Sequence, residues 1–261
     1  MPIITLTTDL GTSDHYVSAV KATILRQLDK INIIDISHDI PPFNIIHAAF
    51  VLKNVYKEFP PGSIHIIGVN AELIDDTNHI AVYANDHYFI GSDNGIFSLL
   101  LDVKPDKIVE ITTNRDSDNI NFPIKDVFAK IACHIARGGT LEIIGNTINK
   151  FSKEFSNLEA LFEKNTIRGS IIHIDHYGNA ISNITEKLFK YVAKEREYSI
   201  NIGKREHYSL NKINKKFNEV PAGDALALFM SDGFLTISIN NGSAASLMGL
   251  NINDIVRIEF K

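Results

Sequence analysis

Apolar positions in the first half of the chain alternate between two spacings. Residues 3–8 (IITLTT) form a short β-branched run ending at Asp9-Leu10-Gly11-Thr12, and residues 16–28 then carry Val17, Val20, Ile24 and Leu28 near helical spacing. The alternation repeats: 31–36 reads as a strand and 45–55 as a helix. Residues 63–69, after Phe59-Pro60-Pro61-Gly62, read as a third buried strand, and 80–84 with 88–90 as a hairpin about Asn85-Asp86. A helix over 126–137 stops at Gly138-Gly139. Strands separated by helices predict an α/β fold with a mostly parallel sheet covered on both faces.

Between residues 146 and 165 the chain turns polar and rich in Asn and Lys, as a linker would be. Beyond it, 169–174, 198–202, 225–229, 234–239 and 255–260 show period-two character, punctuated by Asp175-His176-Tyr177-Gly178-Asn179, Pro221-Ala222-Gly223-Asp224 and Asn240-Asn241-Gly242. That pattern predicts a small antiparallel β-barrel or sandwich. The expected organisation is an N-terminal α/β domain over 1–150, a linker over 151–165 and a C-terminal β-barrel domain over 166–261, with no internal repeat.

Composition narrows the function classes. Among 261 residues, 26 Lys+Arg against 31 Asp+Glu give a formal charge of −5, which offers no basic face to a nucleic acid. One cysteine, Cys133, makes no internal disulfide. The opening MPIITLTTDLGTSDHYV lacks a basic n-region, so neither signal nor transit peptide is expected. No run reaches the roughly 18–20 apolar residues of a membrane span. A cytoplasmic protein without a membrane partner is expected.

Ligands of open parallel sheets bind beyond the carboxyl ends of the strands, which is where Asp9 and Asp14 flank a Gly-containing turn. A carboxylate there can accept both hydroxyls of a ribose. Spacing favours a helix-capping role for Asp14 and leaves Asp9 open. The turn is not GxGxxG, so no dinucleotide cofactor is expected. Asp175, Tyr177, Asn179 and Asn183 gather a carboxylate, an aromatic and two amides near one turn, suited to an amino-acid head group or a purine edge, although turn-prone residues alone account for the motif. Ser92-Asp93-Asn94-Gly95 reads first as a turn and second as a ligand-lining loop. The 10 histidines show no metal-ligand spacing, Cys133 reads as a packed thiol, and no Gly-x-Ser-x-Gly elbow supports a hydrolase triad.

In this order the segments TDLGTSDHYVSAVKA (8–22), IIDISHDIPPFNIIHAA (33–49), FPPGSIHIIGV (59–69), GSDNGIFSLL (91–100), FPIKDVFAKIA (122–132), IDHYGNAISNI (174–184) and NNGSAASLMGL (240–250) resemble the S-adenosylmethionine hydroxide adenosyltransferase family, relatives of the fluorinases and chlorinases. The resemblance covers nearly the whole chain. It implies a Rossmann-like N-terminal domain, a C-terminal β-barrel, and a homotrimer binding a nucleoside ligand at a cleft between subunits. S-adenosylmethionine enters as substrate or ligand, with no separate cofactor. By position, Asp9 matches the ribose-binding carboxylate, Asp14, Tyr16 and Asn70 fall in site loops, and Phe43 and Phe122 match residues packing around the nucleoside. Asp175, Tyr177 and Asn179 match the turn that holds the methionine head group, and Ser243 and Ala244 match the segment contacting adenine.

The resemblance also implies a water-activating Asp-Arg-His set. Aligned without gaps, its first segment is Asn70-Ala71-Glu72-Leu73-Ile74-Asp75-Asp76-Thr77-Asn78 and its second Phe122-Pro123-Ile124-Lys125-Asp126, which puts Asn70, Thr77 and Pro123 at the three catalytic positions. None of these side chains takes a proton at neutral pH. Two outcomes are expected besides the family's hydrolysis: a site rebuilt from Glu72, Asp75, Asp76, His79 or Lys125 or using another nucleophile, and a catalytically silent nucleoside-binding protein.

Overall fold

The computed structural model describes residues 2–72, 77–112, 121–155, 159–203 and 208–261. The chain divides into two compact units, Met1–Asn157 and Leu158–Lys261.

In the first unit, strands β1 (Ile3–Thr8), β2 (Asn32–Ser37), β3 (Ile64–Gly68), β4 (His79–Ala84), β5 (His87–Ser92), β6 (Lys107–Ile111) and β7 (Gly145–Ile148) form a sheet in the order β2-β1-β3-β5-β4-β6-β7. Helix α1 (Tyr16–Leu25) follows β1, α2 (Ile45–Lys53) follows β2, and α3 (Ile96–Leu100) follows β5. A π-helical turn (Ile124–Phe128) leads into α4 (Ala129–Ala136). Alternation along the strands sorts side chains to two faces. Ile4, Leu6, Ile64, Ile66 and Val109 pack with Val20 and Ile24 of α1 and with Phe128, Ala132 and Cys133. Ile67, Val82 and Phe89 pack on the other side with Ala48 and Leu52 of α2 and Phe97 of α3. Cys133 is buried in the first of these two clusters, and its burial raises the thiol pKa, in keeping with a packed thiol.

Both faces are covered as expected, but the sheet is mixed. Pairings β2–β1, β1–β3 and β3–β5 are parallel, whereas β5–β4, β4–β6 and β6–β7 are antiparallel. The reason is the hairpin: Asn85 and Asp86 both take left-handed backbone (φ 51° and 62°), and this tight reversal inserts β4 antiparallel beside β5. A second difference lies in the polar stretch assigned to a linker. Gly145–Ile148 pairs with β6, and Phe151 stacks on Phe97 with ring centroids 5.6 Å apart.

In the second unit, β8 (Leu161–Glu163), β9 (Thr166–Ile174), β10 (Ala180–Thr185), β11 (Tyr198–Ile202), β12 (Tyr208–Leu210), β13 (Ile213–Asn214), β14 (Ala225–Phe229), β15 (Phe234–Ile239) and β16 (Ile255–Phe260) form a strongly curled, barrel-like sheet in the order β12-β11-β16-β9-β10-β15-β14-β13, with β8 beside β9. Ile167, Ile171, Ile200, Leu235, Ile237, Val256 and Ile258 fill its interior. Helix α5 (Glu186–Ala193) is capped by Thr185, whose hydroxyl accepts the Leu188 N–H, and α6 (Ala244–Met248) by Ser243, whose hydroxyl accepts the Ser246 N–H. Among the described residues no helix is long and apolar enough to cross a membrane.

Candidate functional site

Strand order β2-β1-β3, with α1 on one face and α2 on the other, makes the gap between the C-terminal ends of β1 and β3 a topological switch point. Asp9 stands there, one residue past β1. Its Oδ2 accepts the Phe43 N–H at 2.9 Å and the Asn70 N–H at 3.2 Å. Both donors are non-glycine residues in left-handed backbone (φ 65° and 47°), a conformation that persists only where surrounding contacts impose it. Asp9 thus ties the turn entering α2 to the turn leaving β3. Among the described residues its Oδ1 accepts no hydrogen bond, so one carboxylate oxygen stays available at the crevice.

The turn is supported from beneath. Thr8 Oγ1 and His38 Nδ1 are 2.7 Å apart, His38 O accepts the Gly11 N–H at 2.9 Å, and His38 Nε2 lies 3.1 Å from Asp35 Oδ1. Partial burial pushes the Asp35 carboxyl up, but Lys21, 2.5 Å away, and His38 outweigh it and hold the group below the usual carboxylate range. On the β3 side, Asn94 Nδ2 donates to Val69 O (3.2 Å) and Asn70 O (3.1 Å) while its Oδ1 accepts the Ile96 N–H. The Ser92–Gly95 loop therefore acts through the Asn70 turn.

The rings of Tyr16 and Phe122 meet edge to face at 5.5 Å, and Phe43 is 68% exposed. Ile124 packs against Gly68, where a Cβ would come within 2.6 Å of its Cδ1. Asp14 does not cap α1: the N-cap is His15, with no side-chain cap hydrogen bond, because the helix starts one residue later than a capping Asp14 requires.

In the second unit the β9–β10 turn closes on itself. Asp175 accepts the Asn179 N–H at 2.8 Å through Oδ1 and the Asn179 amide at 2.7 Å through Oδ2. Gly178 (φ 79°) lies so close to α6 that a Cβ would sit 2.0 Å from Ser243 Oγ, and its carbonyl accepts the Ala245 N–H at 2.9 Å. Asp175, Asn179, Ser243 and Ala244 therefore form one local assembly, with Tyr177 77% exposed at its tip. Asn183 stands apart, accepting the Ser170 N–H within the barrel wall.

Models of the SAM hydroxide adenosyltransferase N-terminal and C-terminal domains match residues 4–145 and 169–257. The chain belongs to the SAM hydroxide adenosyltransferase family. It is 33% identical to the (R)-S-adenosyl-L-methionine hydrolase of Methanocaldococcus jannaschii over 99% of this chain and 96% of that protein. It is 28% identical to the enzyme of the same name from Salinispora tropica, over 98% and 97%. A fluorinase from an Actinoplanes species is 19% identical over 70% of this chain and 72% of its own length. Among solved structures, an uncharacterized conserved protein from Thermotoga maritima matches with a TM-score of 0.87 and 26% identity over 99% of both chains.

Of the residues named from the resemblance, Asp9, Phe43 and Asn70 are joined by hydrogen bonds and Tyr16 meets Phe122 in the first unit, while Asp175, Asn179, Ser243 and Ala244 lie together in the second. Of the residues named for a rebuilt site, His79 is buried, bonded to Ala71 O and edge-on to Phe128, and Lys125 pairs with Asp126 at 2.9 Å. Glu72 is exposed, while Asp75 and Asp76 lie outside the described residues. Sequence reasoning missed His38, whose partner Thr8 is 30 positions away, and gave Asn94 only a turn or lining role, although it grips a turn 24 residues back. The Asp-Asn-Gly signal marked the place without revealing the grip.

Proposed function

We propose that the chain binds S-adenosylmethionine or adenosine and that its chemistry is nucleophilic displacement at the ribose 5′ carbon. The Asp9 carboxylate carries this reading: it is fixed at the switch point by two backbone donors, and its free oxygen suits a ribose diol. The parallel strands β2, β1, β3 and β5 then serve as a Rossmann-like core. Tyr16, Phe43 and Phe122 offer aromatic faces to a purine and to the sulfonium cation. The Asp175–Asn179 turn, with Ser243 and Ala244, supplies the head-group and adenine contacts from a neighbouring subunit of a homotrimer.

In the displacement, a lone pair of the nucleophile forms the bond to C5′, the C5′–S bond breaks, and its electron pair returns to sulfur, releasing neutral methionine thioether. When water attacks, the released proton passes to solvent.

A second reading, silent nucleoside binding, is favoured by Asn70, Thr77 and Pro123. None accepts a proton, and general-base assistance is worth roughly 10²–10⁴ in rate. Incubation of the protein with S-adenosylmethionine, with water or with halide, followed by chromatography separates the two. Release of methionine with adenosine or a 5′-halo-5′-deoxyadenosine supports displacement. Adenosine binding without turnover supports the silent form.

A further inference from the structure

The strand ends beside the Asn70 turn hold a lysine that neither reading uses. After β7 the chain crosses the first unit held by several anchors. Phe151 stacks on Phe97, the Ser152 N–H donates to the buried Asp93 Oδ2 at 2.7 Å, and the Phe155 N–H donates to Ser98 Oγ at 2.9 Å. The Phe155 ring lies against Gly95, where a Cβ would come within 2.2 Å of it. Between these anchors Lys153 Nζ donates to the buried Thr77 Oγ1 at 3.0 Å. Thr77 offers a neutral hydroxyl, and among the described residues no carboxylate forms an ion pair with this ammonium.

Its place follows from the ladder. Asn78 O accepts the Asp93 N–H at 2.8 Å, so Thr77 lies level with Asn94 at the end of the β4–β5 pair. Asn94 grips Asn70 O, and the Asn70 N–H reaches Asp9. Lys153 therefore ends a row of residues that starts at the Asp9 carboxylate.

We propose that the Lys153 ammonium, tethered by Thr77, is an anion-binding residue of this site that holds the incoming nucleophile, a hydroxide or a halide. This rests on the displacement reading above. A protonated amine has no lone pair and cannot act as a base. It lowers the energy of an anion instead, and a compact ammonium suits a small spherical or diatomic anion better than a forked guanidinium does. The anion's lone pair closes the bond to C5′ as the sulfonium charge is extinguished, and Lys153 keeps its proton throughout.

Two measurements test this. Crystals of the adenosine complex soaked in sodium bromide should show an anomalous peak within hydrogen-bond reach of Nζ that disappears in Lys153→Met. With S-adenosylmethionine, Lys153→Met should lose on the order of 10²-fold in kcat with KM nearly unchanged. Lys153→Arg, which keeps the charge on a less suited fork, should lose less than Lys153→Met, and Lys150→Met, on the same segment, should behave as wild type. Raising the pH should recover part of the Lys153→Met hydrolysis, because added hydroxide replaces what the cation gathers. The three other anchors keep the segment in place in these variants. Wild-type kcat in Lys153→Met, or a bromide peak that is absent from the wild type or survives the substitution, overturns the proposal. Should the wild type turn over no S-adenosylmethionine with either nucleophile, the displacement reading fails, and the bromide peak alone decides whether Lys153 binds anions.

Discussion

Asp9 is bound by backbone rather than by other side chains, so its position depends on two turns, of which the Asn70 turn is also gripped by Asn94. The Phe43 and Asn70 N–H groups aim at one oxygen only because both residues accept left-handed backbone. Asp9→Asn keeps the volume and removes the charge. Hydrogen bonds to a charged group are worth about 1.5–3 kcal/mol, so adenosine affinity should fall roughly 10- to 100-fold by calorimetry while the variant stays folded. Unchanged affinity would take Asp9 out of the site. The place of Asp9 was legible because a β-branched run breaking into Asp-Leu-Gly-Thr marks the end of a strand. What holds it was not, since Phe43 and Asn70 lie 34 and 61 residues away and nothing local foretells their backbone geometry. The bond between Lys153 and Thr77, which spans 76 residues, was hidden for the same reason.

At the scale of elements, patterning succeeded where polar residues point outward and failed where they point in. Tyr198–Ile202, Ala225–Phe229, Phe234–Ile239 and Ile255–Phe260 were all legible from alternation. Strand β10 was not: in AISNIT the adjacent Ser182 and Asn183 are both buried, Ser182 donating to Leu235 O and Asn183 accepting the Ser170 N–H, so no apolar–polar alternation shows. The short edge strand β7 escaped because four residues of GNTI carry little apolar signal. The turn between β9 and β10 yields a sharper test. Gly178 combines positive φ with a close approach to Ser243, and an alanine there strains the backbone and meets the Ser243 side chain at once. Gly178→Ala should cost about 1–3 kcal/mol in denaturant unfolding of the whole protein. It should also weaken any ligand that uses Asp175 and Asn179, because the Ala245 N–H to Gly178 O bond fixes that turn on α6. Gly223→Ala, also at positive φ but with open space around it, separates backbone strain from the collision and should cost less.

Among the described residues the molecule has three apolar cores, one on each face of the first unit's sheet and one in the second unit, and its two halves each match their own family domain. If ligand binding joins one copy's Asp9 to another's Asp175 turn, adenosine must stabilise the oligomer by mass action, and light scattering should show dissociation on dilution opposed by ligand. A monomer that binds adenosine tightly would refute the shared site. Stability should also depend on pH through a buried histidine pair in the first unit. His65, on β3, contacts Thr5 Oγ1 at 2.7 Å and His87 Nδ1 at 3.1 Å, among the rings of Tyr56, Phe59 and Phe89. Desolvation, with a smaller contribution from His87, pushes its pKa down to about 3, and desolvation lowers that of His87 against the opposing pull of Asp86. The folded protein therefore holds His65 neutral, while an unfolded chain protonates it below about pH 6.5. Stability is whole above that pH and is lost as pH falls from about 6.5 towards 3, at up to about 1.4 kcal/mol per pH unit for this group. Urea unfolding should thus lose about 2 kcal/mol between pH 6.5 and 5.0 through His65 alone. His65→Gln retains hydrogen-bonding capacity without a titrating ring, so it should begin less stable at pH 7.5 but show a shallower decline. Parallel declines in the two proteins would mean that His65 takes up its proton in the folded state as readily as in the unfolded chain.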